Sequence, residues 1–381
     1  MIHTEQRLWT EAKGWETTTH VPLRAAPQLV FVFGARKLMG ESTVYQQIRN
    51  FYPGAFIVLC STAGEILGTE VRDRSIALTA VHFEKSIVRF AETTIGSVED
   101  SLGVGKRLAE FLPVEGLVHA MVFSDGLGVN GTLLVKGIND NLPVSVTVTG
   151  GLVGDGADFK ETLIGRDGPG ESHKVVLLGF YGDSLKVGFG SYGGWEGSGA
   201  KYTITRSLGN ILFEIDDKPA LAVYKEYLGE KVKELPSSAL LFPLKLHVGN
   251  APTDVVRTIL GVNEVDQSMT FAGDMPQGVT AEFMKATLEK LVSGAGAAAT
   301  MSLKGIGGAL PELAILVSCV GRKLVLEERA AEEVKAVREV LGENTAISGF
   351  YSYGELCPGS YEERQCLLHN QTMTITVFRE F

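Results

Sequence analysis

The chain has 381 residues, 45% apolar and 21% charged, with a net charge of −10. At ~150 residues per domain the length points to two or three domains, and the composition excludes a largely disordered chain. The acidic balance excludes nucleic acid as the main partner and disfavours an anionic membrane surface, since both call for a basic footprint.

In chain order, the segment Met1-Ile2-His3-Thr4-Glu5-Gln6-Arg7 has no apolar core, so no signal peptide is expected. Residues 1–27 read as a polar lead-in. Residues 29–34 form a short apolar run ending in glycine, the pattern of a buried strand. Residues 42–51 predict a helix stopped by Pro53-Gly54, and residues 55–60 a second buried strand running into Ser61-Thr62-Ala63-Gly64-Glu65. Strands follow at 76–83 and 87–93. Ser97-x-x-Asp100 has the form of a capping box opening a helix that ends before Pro113. Residues 117–123 predict a strand, 130–140 a helix, and 144–148 a strand entering the glycine-rich stretch Gly150 to Gly156.

Residues 175–182 and 184–192 predict a long hairpin. Asp216-Asp217-Lys218-Pro219 opens a helix that Gly229 closes. Strands are expected near 240–248, 255–261 and 268–272, and a helix at 280–293 before a tract of small residues at 293–299. Residues 313–318 predict a buried strand. Leu326, Ala330, Val334, Val337 and Leu341 mark the clearest amphipathic helix, at 325–341. Strands at 346–351 and 373–378 complete the chain.

Alternating strands and helices predict an α/β fold with mixed β-sheets, flanking helices and two lobes. An internal structural echo is visible. Residues 117–156 and 313–355 both read strand, polar turn, helix, strand, glycine-rich turn, and Ser61 to Ile66 parallels Ser352 to Leu356. No run of ~18 apolar residues predicts a membrane span. Four cysteines without a CxxC pair fit a reduced, cytoplasmic setting rather than a disulfide framework.

Enzyme motifs fail on context. Gly188 to Gly193 matches GxGxxG, but a strand-like segment follows where a dinucleotide site needs a helix. There is no P-loop, no GxSxG and no HExxH. The histidines show no metal-ligand spacing, and His119 shares a strand face with Leu117, Met121 and Phe123, which makes it a packed core residue.

What remains are polar clusters directly after apolar strands. Cys60, Ser61, Thr62 and Glu65 form one; Gly151 and Asp155 a second; Cys319 and Arg322 a third; Tyr351, Tyr353 and Glu355 a fourth; His369, Asn370 and Thr372 a fifth. Strand ends of this kind commonly line ligand sites in α/β proteins. The mixture suits a small zwitterion, with Arg322 for a carboxylate and Glu65 or Glu355 for an ammonium. It also leaves open a cysteine-dependent enzyme using Cys60 or Cys319.

These motifs, in this order, resemble the FIST (F-box and intracellular signal transduction) family. Cys60 to Ile66, Gly150 to Gly156 and residues 205–221 resemble FIST N; Leu241 to Leu244, Ser318 to Arg322, Gly349 to Glu355 and His369 to Thr372 resemble FIST C. The resemblance covers roughly 28–378, with FIST N at 28–220 and FIST C at 221–378. It implies an intracellular sensory module that binds a small amino-acid-like ligand in a cleft between lobes. Its output would pass to a separate partner such as a histidine kinase or a cyclic-di-nucleotide enzyme. Some stand-alone members of similar length are haem proteins that sense nitric oxide, so haem is a candidate cofactor, with His82, His119, His247 and His369 as candidate axial ligands.

Overall fold

The computed structural model describes residues 1–19, 23–235, 237–247 and 254–381. Apolar strands at regular spacing build three six-stranded mixed sheets that share one plan. At the centre of each lie two parallel strands joined through helix, with an antiparallel strand against the first of them. These are Leu29–Gly34 and Phe56–Ser61 with Ile76–Phe83 in the first sheet. In the second they are Leu117–Ser124 and Thr147–Leu152 with Lys174–Tyr181. In the third they are Leu313–Cys319 and Ala346–Ser352 with Met373–Glu380. Helices Ser42–Phe51, Gly131–Asn139 and Ala330–Leu341 sit in the three crossovers. The echo between 117–156 and 313–355 is thus one of topology, and it has a third copy that begins at Leu29.

The three sheets complete one another in a ring. After Phe56–Ser61 the chain leaves its own sheet, and Glu65–Leu67 pairs with Ala346–Ser352 of the third. After Ala346–Ser352, strand Gly354–Pro358 pairs with Thr147–Leu152 of the second. After Thr147–Leu152, strand Ile164–Arg166 pairs with Phe56–Ser61 of the first. Each exchange supplies hydrogen-bond partners to a strand edge that would otherwise bury unpaired amides and carbonyls.

The inner faces of the three sheets share one core, in which Phe33, Phe123 and Phe350 meet. Their ring centroids are 4.9 Å (Phe33 to Phe350), 5.9 Å (Phe33 to Phe123) and 6.0 Å (Phe123 to Phe350) apart. Between strand Leu185–Tyr192 and helix Leu288–Leu303 the chain makes an excursion into a fourth, eight-stranded sheet, whose own core is closed by helix Ala220–Leu228. Among the described residues no helix is long and apolar enough to cross a membrane.

Several elements differ from the sequence reading. The expected N-terminal lead-in holds strands Ile2–Thr10 and Gly14–Thr17; the first lies along Ile76–Phe83 and buries Ile2, Glu5 and Leu8. The expected hairpin at 175–192 is no hairpin. Lys174–Tyr181 stays in the second sheet, while Leu185–Tyr192 pairs with Met373–Glu380 in the third. The helix expected at 280–293 begins later. Thr280–Lys285 is a strand, and the Thr287 side chain caps helix Leu288–Leu303 by accepting from the Lys290 amide. The small-residue tract is the interior of that helix. It lies so close to Leu185–Tyr192 that a Cβ at Gly188 or Gly190 would overlap the Ser302 or Ala298 carbonyl oxygen, which explains the GxGxxG match as packing.

Because three sheets lean on one phenylalanine triangle, Phe123→Ala is expected to cost about 3–5 kcal/mol of unfolding free energy. Phe111→Ala, at a residue 70% exposed, is expected to stay within about 0.5 kcal/mol of the parent. Chemical denaturation of both variants checks this; equal effects would contradict the shared core.

Candidate functional site

The second and third sheet units meet the fourth sheet around a cavity of about 470 Å³. One wall is the turn and helix start from Gly126 to Gly131, another is the helix start Val320 to Leu324, and a third is Phe271 to Asp274 of the fourth sheet. Leu127, Val129, Leu152, Leu260, Val320 and Leu324 make the lining chiefly apolar. A few polar groups converge on it, the usual composition of a small-molecule site.

Asn130 joins two of these walls. Its Oδ1 accepts from the Leu133 amide and caps helix Gly131–Asn139, while its Nδ2 donates to Asp274 Oδ1 at 3.0 Å. Behind Asp274 the buried Arg257 donates to the Asp274 carbonyl at 3.2 Å and to the Leu368 carbonyl at 3.0 Å. Burial lowers the Arg257 pKa to about 10, against the pull of Asp274. Thr258 is 4% exposed, and its Oγ1 has no hydrogen-bond partner among the described residues.

Tyr353 lines the cavity and stacks on Phe159, with centroids 4.5 Å apart and planes 17° from parallel. Its hydroxyl donates to Asp155. Asp155 also accepts from the amides of Phe159, Lys160 and Glu161 at 2.9–3.0 Å. Burial pushes this carboxyl up, but the Tyr353 hydroxyl and the three amides outweigh it and hold its pKa below the usual aspartate value. The loop over the cavity is thereby tied to both Tyr353 and Arg36, whose guanidinium reaches Asp155, Asp158 and Glu161.

Of the residues singled out in the sequence, Cys319, Tyr353 and Asn370 line the cavity. Asn370 Oδ1 accepts from the Thr258 amide at 3.4 Å. Asp155, Glu355, His369 and Thr372 lie behind these three, and Gly151 packs against Val317. Cys60, Ser61 and Thr62 sit at the strand end of the first sheet and Glu65 opens the strand that crosses to the third, and none of the four lines the cavity.

Arg322 does not reach the cavity. It is fully buried, and its donors go to Glu333 (3.0 and 2.7 Å) and to the carbonyls of Gly193, Leu291 and Gln371. Glu333 also accepts from Ser318 (2.9 Å) and Tyr351 (2.8 Å), so Tyr351 belongs to the same staple. The proposed ammonium partners Glu65 and Glu355 are likewise spent internally. Glu65 accepts from Thr62 and from the amide and hydroxyl of Ser75. Glu355 accepts from Ser352 and from the amide and hydroxyl of Thr372. The two sites repeat one design, which is the physical content of the short motif echo. Asn130, Thr258 and Asp274 were missed. Asn130 stands at the start of the helix expected at 130–140, and the other two lie at strand ends and turns without a motif.

The described residues of the cavity do not fit haem. None of His82, His119, His247 and His369 is among the described residues of the lining. His119 is held between Thr147 and Thr149 at 2.8 and 2.9 Å, and burial pulls its pKa to about 3. His369 Nε2 lies 3.0 Å from the Cys357 carbonyl, with its pKa drawn down to about 4 by burial. Burial, reinforced by Glu355, pushes the Cys319 thiol up, and burial pushes Cys60 up, so neither is a ready thiolate. No cluster of three His, Cys, Asp or Glu suited to a metal occurs among the described residues.

Residues 28–218 match the FIST N domain, and residues 220–358 match the FIST C domain. The chain belongs to the FIST family. FIST domains are sensor domains of signal transduction. The boundary between the two matches falls inside the fourth sheet excursion, so the cavity draws on both: Gly126 to Gly131 from FIST N, and Thr258, Asp274 and Cys319 from FIST C. No curated protein matches this FIST chain. A solved structure, cyanuric acid hydrolase from A. caulinodans, aligns over 100% of this chain and 99% of its own at 8% identity and a TM-score of 0.38, a likeness that carries no functional meaning.

The paired carboxyls give a pH signature. Burial pushes Glu65 up to about 7 and Glu355 up to about 8, above an ordinary value of 4.5. The folded state therefore holds protons that the unfolded state has released, and stability falls as pH rises through 7 and 8. At the lower end of the window from pH 6.5 to 8.5, His119 and His369 are neutral when folded but half protonated when unfolded, and they offset a minor part of this loss. The expected loss across this window is about 2 kcal/mol, and Glu65→Gln/Glu355→Gln should flatten it. Denaturation at several pH values measures both slopes; parallel slopes would refute the assignment.

Proposed function

We propose that this FIST chain is a sensory module whose cavity at the fourth sheet binds a small amine-bearing ligand with an apolar body, an apolar amino acid being the simplest example. The observation that carries the reading is the buried Thr258 hydroxyl, unpartnered among the described residues, in a largely apolar cavity beside Asp274. A buried polar atom of this kind is normally satisfied, and a rotation of the Thr258 side chain would offer it to a ligand donor or acceptor in the cavity. Asp274 is the charged side chain of the lining and suits an ammonium, while the leucines and valines suit a hydrocarbon body. With Arg322 consumed by Glu333, a ligand carboxylate would rely on amide and hydroxyl donors such as Asn210, Asn370 and Thr258.

Signal output follows from the same geometry. A ligand against Tyr353 and Phe159 bears on the Asp155 loop, and through it on Arg36 at the surface of the first unit. Reordering of that loop would present a changed surface to a separate signalling protein, of which a histidine kinase or a cyclic-di-nucleotide enzyme is the class that the family suggests.

Native mass spectrometry of the gently purified protein, compared with its denatured mass, is expected to reveal an excess of amino-acid size. Thermal shift with a panel of apolar amino acids should raise the melting temperature, since ligand at 100 times Kd adds about 2.7 kcal/mol. Asp274→Asn should weaken the response at least tenfold. A shift that survives this substitution unchanged, or no response to any member of the panel, would sink the reading.

A further inference from the structure

A second cavity, of about 600 Å³, opens where the second and third units meet on a side formed by none of the residues of the first. Three cations from separate elements line it. Lys186 stands on strand Leu185–Tyr192, Lys304 follows helix Leu288–Leu303, and Arg364 lies between Gly354–Pro358 and Cys366–His369. None of the three forms an ion pair among the described residues, although the chain carries a net charge of −10 and most of its other arginines are paired with carboxylates. Lys186 and Lys304 make no side-chain hydrogen bond at all among the described residues. Arg364 gives one, from Nη1 to the Ser145 carbonyl at 3.3 Å, which leaves most of its donors free. Asp183 is the single carboxylate of the lining, so the cavity carries an excess of two positive charges.

The wall behind the cations is rigid. Phe189 and Tyr361 stack with centroids 4.2 Å apart and planes 20° from parallel. The Tyr361 hydroxyl accepts from the amides of Phe189 (2.9 Å) and Gly305 (3.0 Å), and lies 2.9 Å from the Phe189 carbonyl. This fixes the segment that carries Arg364 against the strand that carries Lys186 and the turn that carries Lys304. Unneutralised cations around a concave wall raise the local concentration of anions, and the exposed Lys186 and Lys304 side chains order as one binds.

We propose that this cavity is a second ligand site, for a small multivalent anion of the phosphate class such as a diphosphate or a phosphorylated metabolite. Three cations on three elements match an anion with several charged oxygens, whereas a single carboxylate engages one of them. The guanidinium of Arg364 supplies a planar fork for two phosphate oxygens, and the lysines act as point charges on the rest. Occupation would tie the second unit to the third at Ser145 and Arg364, on a face separate from the apolar cavity.

Isothermal titration calorimetry of the whole protein with sodium pyrophosphate tests this. The expected result is one site per chain, with affinity that falls as salt rises. Lys186→Ala and Lys304→Ala, which remove no hydrogen bond or ion pair among the described residues, should each weaken binding at least tenfold, while Lys335→Ala on helix Ala330–Leu341 leaves it unchanged. Absence of binding to the parent protein would overturn the proposal. So would binding that the two cavity variants leave intact, or that Lys335→Ala weakens equally, since that would mark nonspecific charge attraction. None of these outcomes depends on the amine-binding cavity.

Discussion

Every sheet in the main body is completed by a strand that belongs to the sequence of another unit. The outer edge of Phe56–Ser61 is closed by Ile164–Arg166, that of Thr147–Leu152 by Gly354–Pro358, and that of Ala346–Ser352 by Glu65–Leu67. This is a hydrogen-bonding constraint before it is a packing one: a parallel pair buried on both faces cannot leave an edge open. The ring of exchanges draws three sheets together until Phe33, Phe123 and Phe350 meet. It also delivers the crossing residues to fixed places. Glu65 and Glu355 stand at two exchanges, each gripped by a hydroxyl three residues before it and by the amide and hydroxyl of the residue that leads into its own unit's antiparallel strand.

The polar residues of the strand ends thus divide into two classes. Those at the exchanges, together with Arg322 and Glu333, hold the body together. A buried ion pair of this type is costly to break from one side, because the partner is left charged and unsolvated. Those facing the fourth sheet, Tyr353 and Asn370, border a cavity in which the Thr258 hydroxyl has no partner among the described residues. Residue type does not separate architecture from recognition here, since Arg322, Glu333, Glu65 and Glu355 all fall on the architectural side.

Much of the body was legible in the sequence. The runs at Leu29–Gly34, Phe56–Ser61, Leu117–Ser124 and Leu313–Cys319 read as buried strands because both faces are covered and apolar residues run unbroken. Helix Ala330–Leu341 was legible because only one face is buried. The partition of strands among sheets was not. Lys174–Tyr181 and Leu185–Tyr192 are near neighbours in sequence with a glycine turn between them, and only their long-range partners send them to different sheets. Helix Leu288–Leu303 was hidden because its contact face is made of glycine and alanine, which carry little periodic signal. Within the cavity, Cys319, Tyr353 and Asn370 could be picked out as strand-end residues, whereas Asn130, Thr258 and Asp274 come from a turn and from the excursion, where no pattern marks them. Arg322 misled because a guanidinium after a strand looks the same whether it faces a ligand or a buried glutamate.

The ring of exchanges also bears on how the polypeptide matures as it is made. The first sheet has its closing strand as soon as Ile164–Arg166 has been synthesised. The second has to hold the edge of Thr147–Leu152 open until Gly354–Pro358 leaves the ribosome, which at ~5–20 residues per second is a delay of roughly 10–40 s. Over that interval the nascent chain presents an unpaired, apolar edge of the kind that recruits other strands. Yield in a cell should therefore depend on chaperone capacity during translation, and a chain truncated before Gly354 should accumulate as aggregate rather than as a smaller soluble domain.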